Sequence, residues 1–278
     1  MEVRLHDSVD EFRAIAEPLY RRDPVVHTIE LTALQAGGFP VDSLLFTMWH
    51  DGVAAAAGLQ VPSYPLAYNG IPAVDMQTLA VKLAGVRPGL TGVRGTRSSA
   101  IAFADAWHTV TGRSGSIDTE ERLYRLGALR APDGVTGTAR LATSDDRRQL
   151  AEWVGLFFRE TFSQRDEAAA ERFVDTSNRV GDRFVLWVVD GGPVSMAMLR
   201  APAAGVSRIG PVFTPLDRRG HGYGSAVTAA TADLAHRSGT ADVVLFADLA
   251  NPTSNAIYQR IGFEAVADSV RIDFVTVD

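Results

Sequence analysis

The sequence contains no cysteine, which excludes disulfide bonds, cysteine-ligated metal sites and thiol nucleophiles. It also lacks any apolar run of about eighteen residues or more, so no transmembrane helix and no membrane partner are predicted. The net charge is −6, and no long basic run occurs. Because clustered lysine and arginine neutralise nucleic-acid phosphates, nucleic acid is not expected as a partner. The first residues show no apolar signal region, and a cytoplasmic location is therefore expected.

The 278 residues, of which 46% are hydrophobic, are enough for one large or two ordinary domains. Internal similarity favours two. Val3–Tyr20 resembles Ala139–Phe158, and each segment predicts a short strand, a Ser/Asp-rich helix start and an amphipathic helix. Leu45–Pro62 resembles Phe184–Pro202, and each predicts two strands joined by an Asp-Gly turn.

These similarities predict two copies of one domain, with a linker at Arg130–Thr138 that is rich in proline, glycine and threonine. We place the domains at residues 1–131 and 132–278. In Phe184–Val189 both alternating faces are apolar, which predicts a strand covered on both sides. The predicted fold class is α+β: two tandem domains, each a mixed, mostly antiparallel sheet flanked by helices.

The rest of the second copy predicts a crossover helix between two parallel strands. The predicted elements are a strand at Val206–Pro215, a glycine loop at Leu216–Ser225, a helix at Ala226–Arg237, a buried strand at Ala241–Leu249 and a short helix at Asn251–Phe263.

The glycine loop is the most informative segment. Its central residues are Arg218, Arg219, Gly220, His221, Gly222, Tyr223, Gly224 and Ser225. Alternating glycines let successive N–H groups point inward, and the helix start adds unpaired N–H donors and the positive end of its dipole. Such a place can hold a phosphate or diphosphate. The Gly-Lys-Ser/Thr ending of a Walker loop is missing, the spacing differs from a dinucleotide-binding fingerprint, and a ligand-free turn is the alternative.

Arg219, Gly222 and Gly224 match the Gln/Arg-x-x-Gly-x-Gly/Ala motif of the GCN5-related N-acetyltransferase (GNAT) family. The strand before the loop and the helix at Asn251–Phe263 resemble that family's flanking motifs, in the same order and spacing. The resemblance is strong from Ala139 onwards and weak in the first half. It implies acetyl-CoA as the co-substrate. No set of histidines and carboxylates has the spacing of a metal site, so no metal is expected.

The resemblance also implies roles for individual residues. The main chain of Val212, Phe213 and Thr214 would bind the pantetheine arm, and the amides of Arg219 to Ser225 would bind the diphosphate, with Arg218 adding positive charge. Tyr258 stands where many members keep a general acid for the departing thiolate. A phenol with an ordinary pKa of about 10 is protonated at neutral pH, which suits that task. A tyrosine that only packs on the helix is the alternative.

Two asparagines and several carboxylates near this helix have open roles. Asn255 could contact the cofactor arm near its thioester. Asn251 could do so as well, although its place before a proline favours a helix N-cap. The general base is not identified by the sequence. The candidates, each of which could equally be a solvated surface carboxylate, are Asp248, Glu160, Asp166 and Glu167.

The first copy lacks the features of such a site. It has no Arg-x-x-Gly-x-Gly loop, Ala102 stands opposite Tyr258, and Gly92–Gly95 is predicted to be a turn. We therefore expect the first copy to bind no coenzyme A (CoA). It could pack on the second copy, shape the acceptor pocket or form a homodimer.

The sequence thus predicts an N-acetyltransferase that acts on a primary amine of a small molecule or peptide by direct attack. One alternative is a non-catalytic, regulatory module that binds acyl-CoA. Another is a different acyl transfer on the same fold, as in tandem relatives that include mycothiol synthase.

Overall fold

The computed structural model describes residues 1–62, 64–69, 71, 75–162 and 166–275, with the side chains of 162 and 167 left out. The chain divides into two compact units. Unit 1 comprises Met1–Leu123, Asp248–Ala250 and Val266–Asp278, and unit 2 comprises Tyr124–Ala247 and Asn251–Ala265.

Within its described residues, the first half of the chain forms six strands and four helices. The strands are β1 (Glu2–Leu5), β2 (Leu44–His50), β3 (Val53–Gln60), β4 (Leu66–Tyr68), β5 (Gly92–Thr96) and β6 (Gly115–Leu126). The helices are α1 (Val9–Tyr20), α2 (Thr28–Ala36), α3 (Met76–Val86) and α4 (Arg97–Thr111).

The second half repeats this order of elements. Its strands are β7 (Thr138–Leu141), β8 (Arg183–Val189), β9 (Gly192–Leu199), β10 (Val206–Phe213), β11 (Asp242–Asp248) and β12 (Phe263–Phe274). Its helices are α5 (Arg147–Phe162), α6 (Glu167–Arg179), α7 (Tyr223–Arg237) and α8 (Pro252–Arg260).

The turn between β2 and β3 and the turn between β8 and β9 have the same backbone conformation, as expected for two copies of one domain. Asp51 and Asp190 both have φ of 49°, and the glycines that follow them, Gly52 and Gly191, both have φ of 79°. Two consecutive residues with positive φ are typical of the tight turn that matches the twist of paired strands. The Asp-Gly pairs therefore fold as the sequence predicts, in both copies.

Each unit contains a pair of neighbouring parallel strands in a mostly antiparallel sheet. The strand order contains the run β1-β2-β3-β4-β5-β12, which belongs to unit 1 except for residues 263–265 of β12. It also contains the run β6-β11-β10-β9-β8-β7, which belongs to unit 2 except for residues 115–123 of β6 and Asp248 of β11. β4 and β5 are parallel, as are β10 and β11, and a helix (α3 or α7) crosses over between the two strands. The strand beside β5 is thus β12, from the second half of the sequence, and the strand beside β11 is β6, from the first half.

The sheet of unit 2 is covered on both faces. Val185 of β8 packs into a core cluster with α7 residues such as Val227 and Ala232. Phe184 and Leu186, which point the other way, pack into a second cluster with residues of α5 and α6. The prediction that β8 is covered on both sides, and with it the α+β fold class, is confirmed.

The division by contacts differs from the predicted domain limits, because residues 124–131 group with unit 2 and residues 266–278 with unit 1. The boundary between the two sequence copies near Pro132 stays a prediction. Within the described residues, every helix is too short or too polar to span a bilayer.

Candidate functional site

The parallel strands β10 and β11 separate near their carboxyl ends. Their pairing runs from Val206↔Asp242 to Ile209↔Leu245 and ends there, four residues before β10 itself ends. At the same point the register between β10 and β9 shifts, between Ile209 and Val212. A β-bulge of this kind bends the strand that carries the extra residue. β10 therefore stays paired with β9 while it leaves β11.

The opening exposes main-chain groups of Val212. The carbonyl of Phe213 accepts a hydrogen bond from Ser195 Oγ at 3.0 Å, so Phe213 presents its main chain to β9. Successive residues of a strand present their N–H and C=O groups to opposite edges. The N–H and C=O of Val212 consequently face the gap, while its side chain packs against the same core cluster as Tyr258.

The glycine loop joins this strand end to α7. Gly220 and Gly222 have φ of 84° and 80°, a conformation that other residues seldom adopt. Gly222 is the N-cap of α7 but offers no side-chain acceptor, and the first turn of α7 contains no acidic residue. The N–H groups of that turn therefore lack a side-chain cap, and the positive end of the helix dipole lacks a counter-charge. α7 begins at Tyr223, three residues earlier than predicted, so Gly224 lies inside its first turn.

The side chains of the loop fold back on their own backbone. Arg219 donates to the carbonyl of Thr214 at 2.9 Å and pairs with Glu160 at 2.6 Å. His221 donates from Nδ1 to the carbonyl of Arg219 at 2.9 Å, and its ring stacks on Tyr223. Both arrangements stabilise the loop and leave its outer surface exposed. His221 thus acts as a hydrogen-bond donor to the backbone of the loop.

Tyr258 lies on α8 and packs among aromatic rings. Its ring meets that of Phe263 edge-on at 6.2 Å and lies 6.5 Å from that of Tyr124. Burial raises the pKa of Tyr258 to about 12, against the opposing effect of a hydrogen bond with Ser254. A phenol with so high a pKa holds its proton throughout the physiological pH range.

The two asparagines of this region have structural partners. Asn251 caps α8 by accepting a hydrogen bond from the Ser254 N–H at 3.0 Å, as its position before a proline predicts. Asn255 donates to the carbonyl of Asn251 at 2.8 Å and accepts from the Tyr124 hydroxyl at 2.8 Å. Contacts of either residue with a cofactor stay predictions.

Tyr124 is a residue that the sequence analysis missed. It lies in β6, at the end of the first sequence copy, and no motif marks it. Its place beside α8 follows from the position of β6 next to β11.

Three of the four carboxylates considered as general bases form ion pairs or hydrogen bonds within the protein. Glu160 pairs with Arg219, and Asp248 accepts from the N–H of Ala250 at 2.8 Å. Asp166 is the N-cap of α6; hydrogen bonds from the N–H of Ala169 and from Arg172 lower its pKa. The side chain of Glu167 lies outside the described residues. The described residues also contain no cluster of three or more His, Asp or Glu side chains suited to a metal ion.

In unit 1 the corresponding strand pair is closed. A Cβ on Gly95 would lie 2.4 Å from the carbonyl oxygen of Tyr68, so the two strands approach too closely for a ligand between them. Beyond that point Asn69 accepts from the N–H of Thr96 at 3.1 Å and donates to the fully buried Glu30 at 2.7 Å. These contacts support the expectation that the first copy binds no CoA.

The closure also corrects one expectation about the first copy. Gly92–Gly95, predicted to be a turn, is part of strand β5. The glycines serve close packing here: a Cβ on Gly92 would lie 2.4 Å from the carbonyl oxygen of Ile272.

The contacts of Asn69 should contribute to the stability of unit 1. We expect Asn69→Ala to lower the free energy of unfolding by about 2 kcal/mol, because the buried carboxylate of Glu30 loses a donor and Thr96 loses an acceptor. Urea unfolding followed by circular dichroism measures this. The control variant Gln77→Ala, at an exposed position of α3, should stay within about 0.5 kcal/mol of the original protein. Equal stability of the two variants would contradict the role assigned to Asn69.

Comparisons with known proteins agree with this architecture. The Acetyltransferase (GNAT) family pattern matches residues 122–263, just over half of the chain. A search of curated proteins gave no significant match. Among solved structures, a GNAT-family acetyltransferase from Colwellia psychrerythraea is 11% identical, with a TM-score of 0.66 over 99% of this chain and 100% of that one.

Two further structures share the fold. A GCN5-related N-acetyltransferase from Sphaerobacter thermophilus is 18% identical, with a TM-score of 0.64 over 98% of this chain and 95% of that one. A tandem GNAT protein from the clavulanic acid biosynthesis pathway is 13% identical, with a TM-score of 0.60 over the full length of both chains. Since the family pattern covers more than half of the sequence, the chain belongs to the GNAT acetyltransferase family, and its repeated fold is similar to that of a tandem relative.

Proposed function

We propose that unit 2 binds acetyl-CoA and transfers the acetyl group to a primary amine by direct attack. The observation that carries the proposal is the opening between β10 and β11 beside the uncapped start of α7. The opening presents main-chain groups of Val212, and the helix start presents main-chain N–H donors. Together they suit a ligand that has an amide-containing arm at one end and a diphosphate at the other.

The residues present fit this ligand. The amides from Arg219 to Ser225 would hold the diphosphate, with Arg218 exposed nearby to contribute positive charge. The main chain of Val212 would align the pantetheine arm, and that of Thr214 stays a predicted contact. The main chain of Phe213, which was predicted to bind the arm as well, faces β9 instead, because its carbonyl accepts from Ser195 Oγ. Gly224 leaves space, since even an added Cβ would approach Thr214 Oγ1 only to 3.4 Å.

Acetyl-CoA supplies an acyl group that is already activated as a thioester, so the chain's own residues need only orient and polarise it. A main-chain N–H in the gap, with Val212 as the best placed, donates a hydrogen bond to the acyl carbonyl oxygen and favours the negative charge that grows there. Tyr258 retains its proton because burial raises its pKa, and it can donate that proton to the sulfur as the sulfur leaves. Holding the two reactants together supplies much of the remaining rate.

The test measures free thiol released from acetyl-CoA in the presence of candidate amines. Since the protein has no cysteine, a thiol reagent reports only CoA, without background from the enzyme. The panel comprises amino sugars, polyamines, amino acids and peptides with free N-termini. We expect amine-dependent release for at least one class, with mass spectrometry identifying the acetylated product.

Three other outcomes would contradict the proposal in different ways. Calorimetric binding of CoA without any turnover would favour a non-catalytic acyl-CoA-binding module. Turnover with longer acyl donors or with a non-amine acceptor would favour a different acyl transfer on this fold. The absence of CoA binding would contradict both the transferase and the binding module.

A further inference from the structure

Tyr124 in β6 belongs to unit 2 by its contacts, although its position in the sequence is in the first copy. Its side chain is fully buried. The hydroxyl donates a hydrogen bond to Asn255 Oδ1 at 2.8 Å and accepts one from Gln259 Nε2 at 3.2 Å. One phenol thus contacts two side chains of the same helix.

Those two side chains flank Tyr258 on α8. Asn255 lies three residues before Tyr258 and Gln259 follows it, so the three side chains occupy adjoining turns of the helix. Tyr124 also contacts Tyr258 directly, with ring centroids 6.5 Å apart and planes tilted by 59°. The orientation of Tyr258 is therefore constrained by the hydrogen bonds of Tyr124 and by its ring.

We propose that Tyr124 is a positioning residue, supplied by the first sequence copy, that fixes α8 so that the Tyr258 hydroxyl stays aimed at the reacting sulfur. The inference rests on the proposed function, since it assumes that Tyr258 donates a proton. It also gives the degenerate first copy a task in the chemistry of the second, through the last residues of β6.

The alternative is that Tyr124 only fills space in the core cluster that it shares with Val227 and Phe263. The two roles depend on different parts of the side chain. Space filling needs the ring, and positioning also needs the hydroxyl. Tyr124→Phe removes the hydroxyl and keeps the ring, while Asn255 keeps its bond to the carbonyl of Asn251. α8 should therefore keep its position, but its orientation is no longer fixed by the hydrogen bonds of the Tyr124 hydroxyl.

The matched control is Tyr68→Phe in unit 1. Tyr68 is also fully buried, and its hydroxyl donates to the carbonyl of Ser99 at 2.5 Å. Both variants lose one buried hydroxyl and its hydrogen bonding, but only Tyr124 is bonded to the helix that carries Tyr258. We expect Tyr124→Phe to lower kcat about tenfold with KM for acetyl-CoA unchanged within about twofold, and Tyr68→Phe to leave both unchanged.

A double variant separates positioning from general destabilisation. If Tyr124 acts through Tyr258, then Tyr124→Phe in a Tyr258→Phe background should lower kcat by less than about twofold further. A full additional tenfold loss, or a Tyr124→Phe enzyme as active as the original protein, would overturn the inference. Should Tyr124→Phe fail to fold, Gln259→Met removes one of the two hydrogen bonds from an exposed helix position. We then expect kcat to fall about threefold, again only when Tyr258 is present.

The same measurements distinguish this inference from the function on which it rests. An original protein that neither binds CoA nor releases its thiol would contradict the proposed function. If the original protein is active, and kcat falls in Tyr258→Phe but not in Tyr124→Phe, only the positioning role would be contradicted.

Discussion

Gly224→Asp is expected to weaken the affinity for CoA by about 100-fold or more while leaving the fold intact. Gly224 is the second residue of α7, and the first turn of that helix contains no acidic residue. A carboxylate there opposes the negative diphosphate at short range. Isothermal titration calorimetry with CoA measures the affinity.

The same substitution should not destabilise the protein. An acidic side chain in the first turn of a helix is favourable by about 0.3–1 kcal/mol, because it faces the positive end of the dipole. The new Cβ would lie 3.4 Å from Thr214 Oγ1, which the side chain of Thr214 can accommodate. Stability and binding are thus expected to move in opposite directions, which separates a lost ligand site from a lost fold.

Gly224→Asn is the control, since it adds a side chain of the same size without the charge. Its loss of affinity should be clearly smaller than that of Gly224→Asp. Gly222→Asp is a less clean test, because Gly222 has φ of 80° and an added Cβ would lie 3.0 Å from Val135. If Gly224→Asp bound CoA as tightly as the original protein, the loop would not be the diphosphate site and the transferase proposal would fail with it.

Tyr258→Phe is expected to lower kcat by about 100-fold or more, with KM for acetyl-CoA little changed, because it removes a proton donor and keeps the ring. Tyr64→Phe, at an exposed tyrosine of unit 1, should leave kcat unchanged. Steady-state rates from thiol release measure both. An active enzyme that tolerates Tyr258→Phe would have another proton donor.

The pH dependence of kcat offers a second measurement on Tyr258. Burial raises its pKa to about 12, and a raised pKa means that the protonated, donating form persists to higher pH. We therefore expect no fall in kcat from loss of this proton below about pH 11. A fall centred near pH 9 that disappears in Tyr258→Phe would contradict the high pKa and the burial that causes it.

Much of the fold follows from local sequence patterns. The Asp-Gly pairs at residues 51–52 and 190–191 predict the two hairpins, and the helix start at Asn251-Pro252 predicts the cap of α8, because turns and caps depend on a few neighbouring residues. Gly92–Gly95 misled the prediction. Its glycines permit close strand contact, and a sequence does not distinguish that use of glycine from a turn.

The sequence alone determined that this protein is a duplicated α+β chain with one glycine loop at a helix start, since periodicity, turn residues and loop spacing are local properties. The tertiary structure alone decided that β6 and β12 lie beside strands of the opposite sequence half, that Asn69 and Glu30 close the first copy, and that Tyr124 contacts Tyr258. These are contacts between residues 27 to 181 positions apart. These contacts depend on which strands become neighbours. The sequence does not reveal that choice, because the hydrogen bonds between backbones are nearly the same for every sequence.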